Sequence, residues 1–300
     1  MRSDELEGII AMLRSTAAER GDAEMTVEEW RAAYDGLGQL LPLAPDTEVT
    51  SVDAGGVAAE WVVAPEADAG RTVVYFHGGG YCIGSVLGHR AMLSHLSAAA
   101  RARVLSVGYR LAPEHPHPAA LDDAVAAYRW ALATGGAEPE RTVIGGDSAG
   151  GGLTVATLVA LRDAGDALPA AGVCLSPWAD LTQSGETIAT KAAEDPMVRA
   201  EDLGRWAAAY HGNREASDPA ISPLFADLTG LPPLLIDVGT AEVLLDDARR
   251  LADRARQAGV EVTLTVAEDM LHVWHFFAGT VPEADAAIAR VGAFIAKVAP

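Results

Sequence analysis

The hydrophobic pattern along the chain changes period several times, and those changes outline its elements. Ile9, Ile10 and Leu13, then Trp30, Ala33, Tyr34 and Leu37, recur at helical spacing. They predict two amphipathic helices before residue 42, separated at Gly21-Asp22. Glu48 to Val52 and Val57 to Val63 flank Ala54-Gly55-Gly56 and read as a hairpin. Thr72 to Phe76 is a continuous apolar run, as expected of a strand buried on both faces. Helical and strand-like segments then alternate: helix His89 to Ala100, strand Val104 to Val107, helix Leu121 to Leu132, and a strand from Thr142 to Ile144 that gives way to a helix after Gly152. Gly172 to Ser176 closes on Pro177-Trp178 as a further strand. The alternation lapses from Ala179 to about Leu231, apart from a short helix over Glu201 to Tyr210, a span too long for an ordinary connector. It resumes with strand Pro233 to Val238, helix Val243 to Gln257, strand Val260 to Val266 and helix Ala284 to Val298. Such alternation predicts an α/β fold, a mostly parallel central sheet with helices on both faces.

Composition narrows the class. The chain has 300 residues, half of them apolar, enough for one large domain with a sizeable core. Its formal charge of -20 argues against a nucleic-acid partner, which needs clustered Lys and Arg. No apolar run reaches the roughly 18 residues of a membrane helix, and MRSDELEGIIAMLRST lacks the apolar core of a signal peptide. The expectation is a cytoplasmic protein without stable membrane insertion. Two cysteines, Cys82 and Cys174, suit a reducing compartment, read as buried fillers, and cannot make a tetrahedral metal site alone.

Chemistry enters at Thr142 to Thr157, TVIGGDSAGGGLTVAT. Gly146-Asp147-Ser148-Ala149-Gly150 places a serine between an apolar strand and a helix, the pattern of a nucleophile elbow. A phosphate loop would carry Gly-Lys-Ser/Thr, and no lysine is near. His77-Gly78-Gly79-Gly80-Tyr81 follows a core strand, and its unobstructed amides can, with that of Ala149, stabilise an oxyanion. A weakly nucleophilic serine needs a histidine base and an acid to orient it, and in this arrangement they follow in the order Ser, acid, His. His272 stands after the last strand. His275 is a rival three residues on, among Trp274, Phe276 and Phe277, which read as the apolar start of the final helix. Glu242 leads as the acid; Asp246 is the alternative, although a carboxylate there can simply complement a helix dipole, and Asp237 belongs to a strand. The remaining histidines, His77, His89, His95, His115, His117 and His211, read as loop or surface residues. Arg110 and Glu114 in the Tyr109 to Pro116 loop read as a structural ion pair bracing it, and Tyr75 and Tyr109 as core or rim.

The ordered segments YFHGGGYCIGS, YRLAPEHPHPAAL, GGDSAGGGL, LSPWADLT, GTAEVLLDDA and MLHVWH make the chain resemble the bacterial hormone-sensitive-lipase-like (family IV) esterases of the α/β-hydrolase superfamily, from about Tyr75 to the C-terminus. The resemblance implies Ser148 as nucleophile, His272 as base, and Gly78, Gly79 and Ala149 as oxyanion donors. It also implies a lid built from residues 1–42 and 179–231 over a catalytic domain spanning 43–300. Many members carry Asp-Pro where this chain has Glu242-Val243, so the acid departs from the family pattern. The implied activity is a serine carboxylesterase acting on small-molecule esters with short to medium acyl chains, without metal or organic cofactor. Family habit adds a possible homodimer. A lactone or small-amide hydrolase uses the same machinery. Plant gibberellin receptors resemble the same family without hydrolysing their ligand, but they lack a histidine at the position of His272.

Overall fold

The computed structural model describes residues 2–20 and 25–300, so the expected break at Gly21-Asp22 lies outside the described residues. The two N-terminal helices are α1 (Asp4–Arg20) and α2 (Val27–Gln39). Thr26 and Glu29 start the second by exchanging side-chain and backbone hydrogen bonds, which satisfies two otherwise orphaned amides.

An eight-stranded sheet follows. Its strands are β1 (Glu48–Asp53), β2 (Ala58–Val63), β3 (Asp68–Phe76), β4 (Ala102–Val107), β5 (Thr142–Asp147), β6 (Ala171–Leu175), β7 (Leu234–Gly239) and β8 (Val262–Ala267), in the order β1-β2-β4-β3-β5-β6-β7-β8. β1 and β2 form the expected antiparallel hairpin, β2 runs antiparallel to β4, and from β4 to β8 every neighbouring pair is parallel. β3 begins four residues before the apolar run, with a register irregularity between Asp68 and Thr72 that polar Asp68 and Gly70 do not signal.

The helices between strands are α3 (Val86–Ala100), α4 (Ala119–Ala133) and α5 (Ala149–Ala164), then α6 (Thr187–Thr190) and α7 (Ala200–His211) within the insertion, then α8 (Leu245–Gln257) and α9 (Pro282–Val298). They cover both faces. Tyr128, Leu153, Leu158 and Leu251 pack with β3, β5 and β7 residues on one side, and Met92, Leu96, Ile288, Val291 and Ile295 pack on the other. Fully burying each such side chain is worth roughly 1.5–3 kcal/mol. A third cluster joins Leu6 and Ile10 of α1 to Met270, Leu271, Val273, Trp274 and Phe276 after β8. The N-terminal helix therefore packs directly on the segment that carries His272.

Three expectations need correction here. Arg110 and Glu114 do not pair with each other. Arg110 meets Asp123 of α4 at 2.7 Å, while Glu114 takes two hydrogen bonds of 2.8 Å from Arg31 of α2. Helix α4 presents Asp123 to both the backbone and the guanidinium of Arg110, leaving Glu114 free for a helix that the loop pattern cannot reveal. His77 and His89 are not loop or surface residues either, being 1% and 0% exposed. Both lie beneath the glycine loop. His275 also differs: it sits in a separate 3-10 turn, Trp274–Phe277, because Gly279 at φ 80° and Pro282 delay the final helix.

Candidate active site

Parallel strands present their carboxyl ends on one edge, and the strand order reverses where β3 lies between β4 and β5. Ligands of open α/β sheets bind at such a reversal. The loop after β3 is the glycine loop, and the turn after β5 carries Ser148.

Ser148 has φ 52° and ψ -119°, a left-handed backbone that costs a non-glycine residue about 1–3 kcal/mol. Hydrogen bonds hold the strain: Ser148 N–H donates to Leu175 O at 2.8 Å, and Ser148 O accepts from Gly152 and Trp178 at 3.1 and 2.9 Å. The bend also requires a glycine at 150, where a Cβ would collide with Phe76 O. The serine is 8% exposed, and its Oγ makes no hydrogen bond among the described residues. It stands at the start of α5, where the first amides are orphaned.

His272 and Glu242 arrive from the loops after β8 and β7. Nδ1 of His272 lies 2.8 Å from Oε2 of Glu242, with the pair 4% and 0% exposed as residues. A carboxylate can only accept here, so Nδ1 carries the proton and Nε2 remains free to take one. Oε1 of Glu242 accepts from Gly239 N–H at 2.6 Å and from the Ser176 hydroxyl at 2.8 Å. Ser176 Oγ accepts in turn from Val273 N–H at 3.1 Å, so one hydroxyl at the end of β6 ties the acid to the backbone beside His272. Burial, the largest influence, pulls the His272 pKa down; the Glu242 hydrogen bond and the charges of Glu242, Asp195 and Asp147 outweigh it and hold the imidazole above its ordinary 6.5.

Asp246 is elsewhere, accepting from Thr187 N–H at 3.1 Å. His275 is 0% exposed, and its Nε2 faces Asp237 at 3.4 Å.

The glycine loop corrects one oxyanion assignment. The Gly78 amide donates to Asp147 Oδ1 at 3.1 Å and is not available to a substrate. Burial lowers the pKa of His77 to about 3, so its ring is neutral and Nδ1–H donates to Gly78 O at 2.7 Å. Within a trans peptide the N–H points opposite to the C=O. The Gly79 N–H is therefore turned away from His77. Gly79 O accepts from Cys82 and Ile83 at 3.0 and 2.9 Å, which turns the Gly80 N–H away in the same manner. Neither amide, nor that of Ala149, donates to an acceptor among the described residues. Nothing in three consecutive glycines says which amide the scaffold consumes and which it leaves open. Residue 80 must be glycine: φ is 59°, and a Cβ would collide with the Trp206 ring of α7.

Asp147 organises this loop from below. Wholly buried, it accepts from Tyr75 OH at 3.0 Å and faces His89 Nε2 at 3.2 Å, besides the Gly78 bond. Tyr109 stacks on His77 at 4.3 Å and donates to His77 O at 2.7 Å. Arg31 donates to Cys82 O at 2.9 Å, so α2 fixes the far end of the loop. Both cysteines are buried free thiols, each pushed up to about 12 by burial.

An α/β-hydrolase-fold family model matches residues 73–276, the whole span from β3 to the loop holding His272. The chain belongs to the hormone-sensitive-lipase-like esterases of the α/β-hydrolase fold. An esterase of the bacterial hormone-sensitive lipase family has a crystal structure that superposes with a TM-score of 0.96 at 50% identity, with 100% of both chains covered. An acetyl-hydrolase of Streptomyces hygroscopicus is 48% identical over 272 residues, 90% of this chain and 89% of the relative. An esterase of Acinetobacter venetianus is 33% identical over 285 residues, 95% and 93% of the two chains. Among the described residues no helix of this esterase is long and apolar enough to cross a membrane.

Proposed function

We propose that this esterase is a serine carboxylesterase in which Ser148, His272 and Glu242 form the triad and the amides of Gly79, Gly80 and Ala149 form the oxyanion hole. The observation that carries the proposal is the buried 2.8 Å contact between His272 and Glu242, which leaves Nε2 as the acceptor on the edge of the sheet where Ser148 stands. As the Ser148 oxygen bonds to the ester carbonyl carbon, its proton passes to His272 Nε2 and the carbonyl electrons move onto oxygen. Each oriented amide stabilises that charge by about 3 kcal/mol. The bond to the alcohol then breaks, His272 returns the proton to the leaving oxygen, and water repeats the sequence to release the acid. Glu242 keeps the proton on Nδ1 throughout without itself being protonated. Catalytic hydrogen bonds often tighten only in the reacting complex, where the proposal sets Ser148 Oγ against His272 Nε2.

The substrate is a small ester with a short to medium acyl chain. Supporting this, Trp206 packs on Gly80 and meets Trp30 of α2 at 5.9 Å, bringing aromatic bulk from the insertion and the N-terminal helices beside the oxyanion loop. That contact also supports residues 1–42 and 179–231 as a lid. The acetyl-hydrolase relative agrees with a short acyl group. The proposal includes cytoplasmic residence, in keeping with two buried free thiols, and a homodimer through the last strand or the closing helix, since β8 is the sheet edge. The test is a series of p-nitrophenyl esters from acetate to palmitate, with intact-mass detection of the acyl-enzyme. Expected are a mass increase matching the acyl group and a maximum of kcat/KM at six carbons or fewer. A maximum at palmitate, or turnover with no acyl adduct on rapid quenching, contradicts the proposal.

A further inference from the structure

The turn bearing Glu242 is gripped by the insertion at one residue. Val243 follows the acid directly, and its N–H donates to Asp195 Oδ2 at 2.9 Å. Its carbonyl accepts from the Thr187 hydroxyl at 2.8 Å. The same hydroxyl accepts from Asp246 N–H at 3.0 Å, and Asp246 Oδ2 accepts from Thr187 N–H at 3.1 Å. Asp195 and Thr187 are 8% and 7% exposed; Thr187 opens α6 and Asp195 lies after it, both within the insertion. The other Asp195 oxygen accepts from Met197 and Val198 N–H at 2.9 Å each. Burial, the largest influence, raises the Asp195 pKa above its ordinary value; His272 and the N–H groups of Val243, Val198 and Met197 oppose it, all of them donors that favour the carboxylate. Met197 packs against the cluster containing Met270, Leu271 and Val273, which sets the Asp195 segment against the loop of His272.

We infer that Thr187 and Asp195 are positioning residues for the triad: the insertion clamps Val243 on both sides of its backbone to fix Glu242, and Asp195 adds a second negative charge beside His272. The inference rests on the proposed triad. It means that the insertion, whatever it contributes to substrate binding, is also part of what orients the base. The charged groups acting on His272 come from three elements: Glu242 after β7, Asp195 from the insertion, and Asp147 at the end of β5. Only Asp195 can be neutralised without removing the triad acid or the support of the oxyanion loop.

The two residues separate geometry from charge. The experiment measures the rate of Ser148 phosphonylation by a fluorophosphonate against pH, with thermal melts alongside, in the wild type, Thr187→Val, Thr187→Ser and Asp195→Asn. Thr187→Val is expected to slow labelling about tenfold with the pH midpoint unchanged, and Thr187→Ser to restore it to within about twofold. Asp195→Asn is expected to slow labelling and to move the acid-limb midpoint down by about half a unit, since loss of a negative neighbour makes imidazolium easier to deprotonate. If Asp195→Asn does not fold, Asp195→Ser, which returns one acceptor without charge, replaces it. Wild-type midpoints in every variant overturn the inference, whether rates stay within twofold or fall only in step with melting temperature. Failure of the wild type itself to label at Ser148 contradicts the triad and not the clamp alone.

Discussion

Three residues apart on one loop, His272 and His275 each face a buried carboxylate, yet the two pairs are differently built. His272 meets Glu242 at 2.8 Å, and the carboxylate's second oxygen is filled by Gly239 and Ser176. His275 meets Asp237 at 3.4 Å, and Asp237 is shared with Arg290 at 3.3 Å. His275 Nδ1 and Asp237 Oδ1 have no hydrogen-bond partner among the described residues. Asp237 lies within β7, whereas Glu242 lies beyond its end, on the same edge as Ser148. On the proposed mechanism, a histidine beside a carboxylate serves as base only where its other nitrogen lies on the edge of the sheet that carries the nucleophile. The second pair is a sealed core contact.

The comparison breaks most readily at His272. His272→Ala should lower kcat/KM for a short ester by about 10⁴-fold or more, whereas His275→Ala should leave it within about threefold and lower stability by about 1–3 kcal/mol. Steady-state kinetics and denaturant melts on both variants decide it, and equal activity losses would erase the distinction. Next, Glu242→Gln should cost about 10³-fold in kcat through loss of the productive tautomer, while Asp246→Asn, at the rejected acid position, should stay within about tenfold. Gly80→Ala should cost kcat about 10²-fold with the fold retained, because the new methyl group strains a left-handed backbone and displaces Trp206 beside an oxyanion amide. Gly78 offers the sharper contrast: its amide serves Asp147, so Asp147→Asn should lower kcat by misplacing the loop without altering the identity of the donors.

The pH dependence follows from the same site. Activity needs neutral His272, whose pKa is held above 6.5, so the acid limb of kcat/KM should have its midpoint above pH 6.5. A midpoint below 6 would contradict the hydrogen bond and charges assigned to it. The smallest effect concerns stability. Asp247, buried against Asp180, has its carboxyl pushed up to about 8, chiefly by burial. A folded pKa above the unfolded value of 3.8 means that the native state holds a proton the unfolded chain has lost. Its stabilising contribution is therefore complete below pH 3.8 and fades as pH rises through about 8. Asp247→Asn should raise Tm by about 2–4 °C at pH 9 and by less at pH 6.

Much of this was legible because strand-helix alternation and small residues at a turn are local signals. Ser148 and the order of Glu242 and His272 depend on the chain's path through a parallel sheet, which hydrophobic period reveals. What escaped depends on contacts across the fold. Whether Gly78 or Gly80 supplies an amide is decided by Asp147, 69 residues away from Gly78. His77 and His89 looked like loop residues because burial beneath a turn leaves no periodic trace. Ser176 ties the Glu242 carboxylate to the Val273 amide, and Asp195 reaches the Val243 amide, contacts across the fold that the residues beside them in sequence do not reveal. The signals for Ser176 were its place in the LSPWADLT segment and at a strand's carboxyl end, where function gathers in such sheets.

The most direct measurement treats wild type, His272→Ala and His275→Ala with a fluorophosphonate and maps the adduct by peptide mass spectrometry. Stoichiometric labelling of Ser148 in wild type and His275→Ala, lost in His272→Ala, is the result expected of a serine activated by the Glu242-oriented histidine. Labelling that survives loss of His272 but not of His275, or that falls on another residue, would show that the wrong pair has been placed at the chemistry.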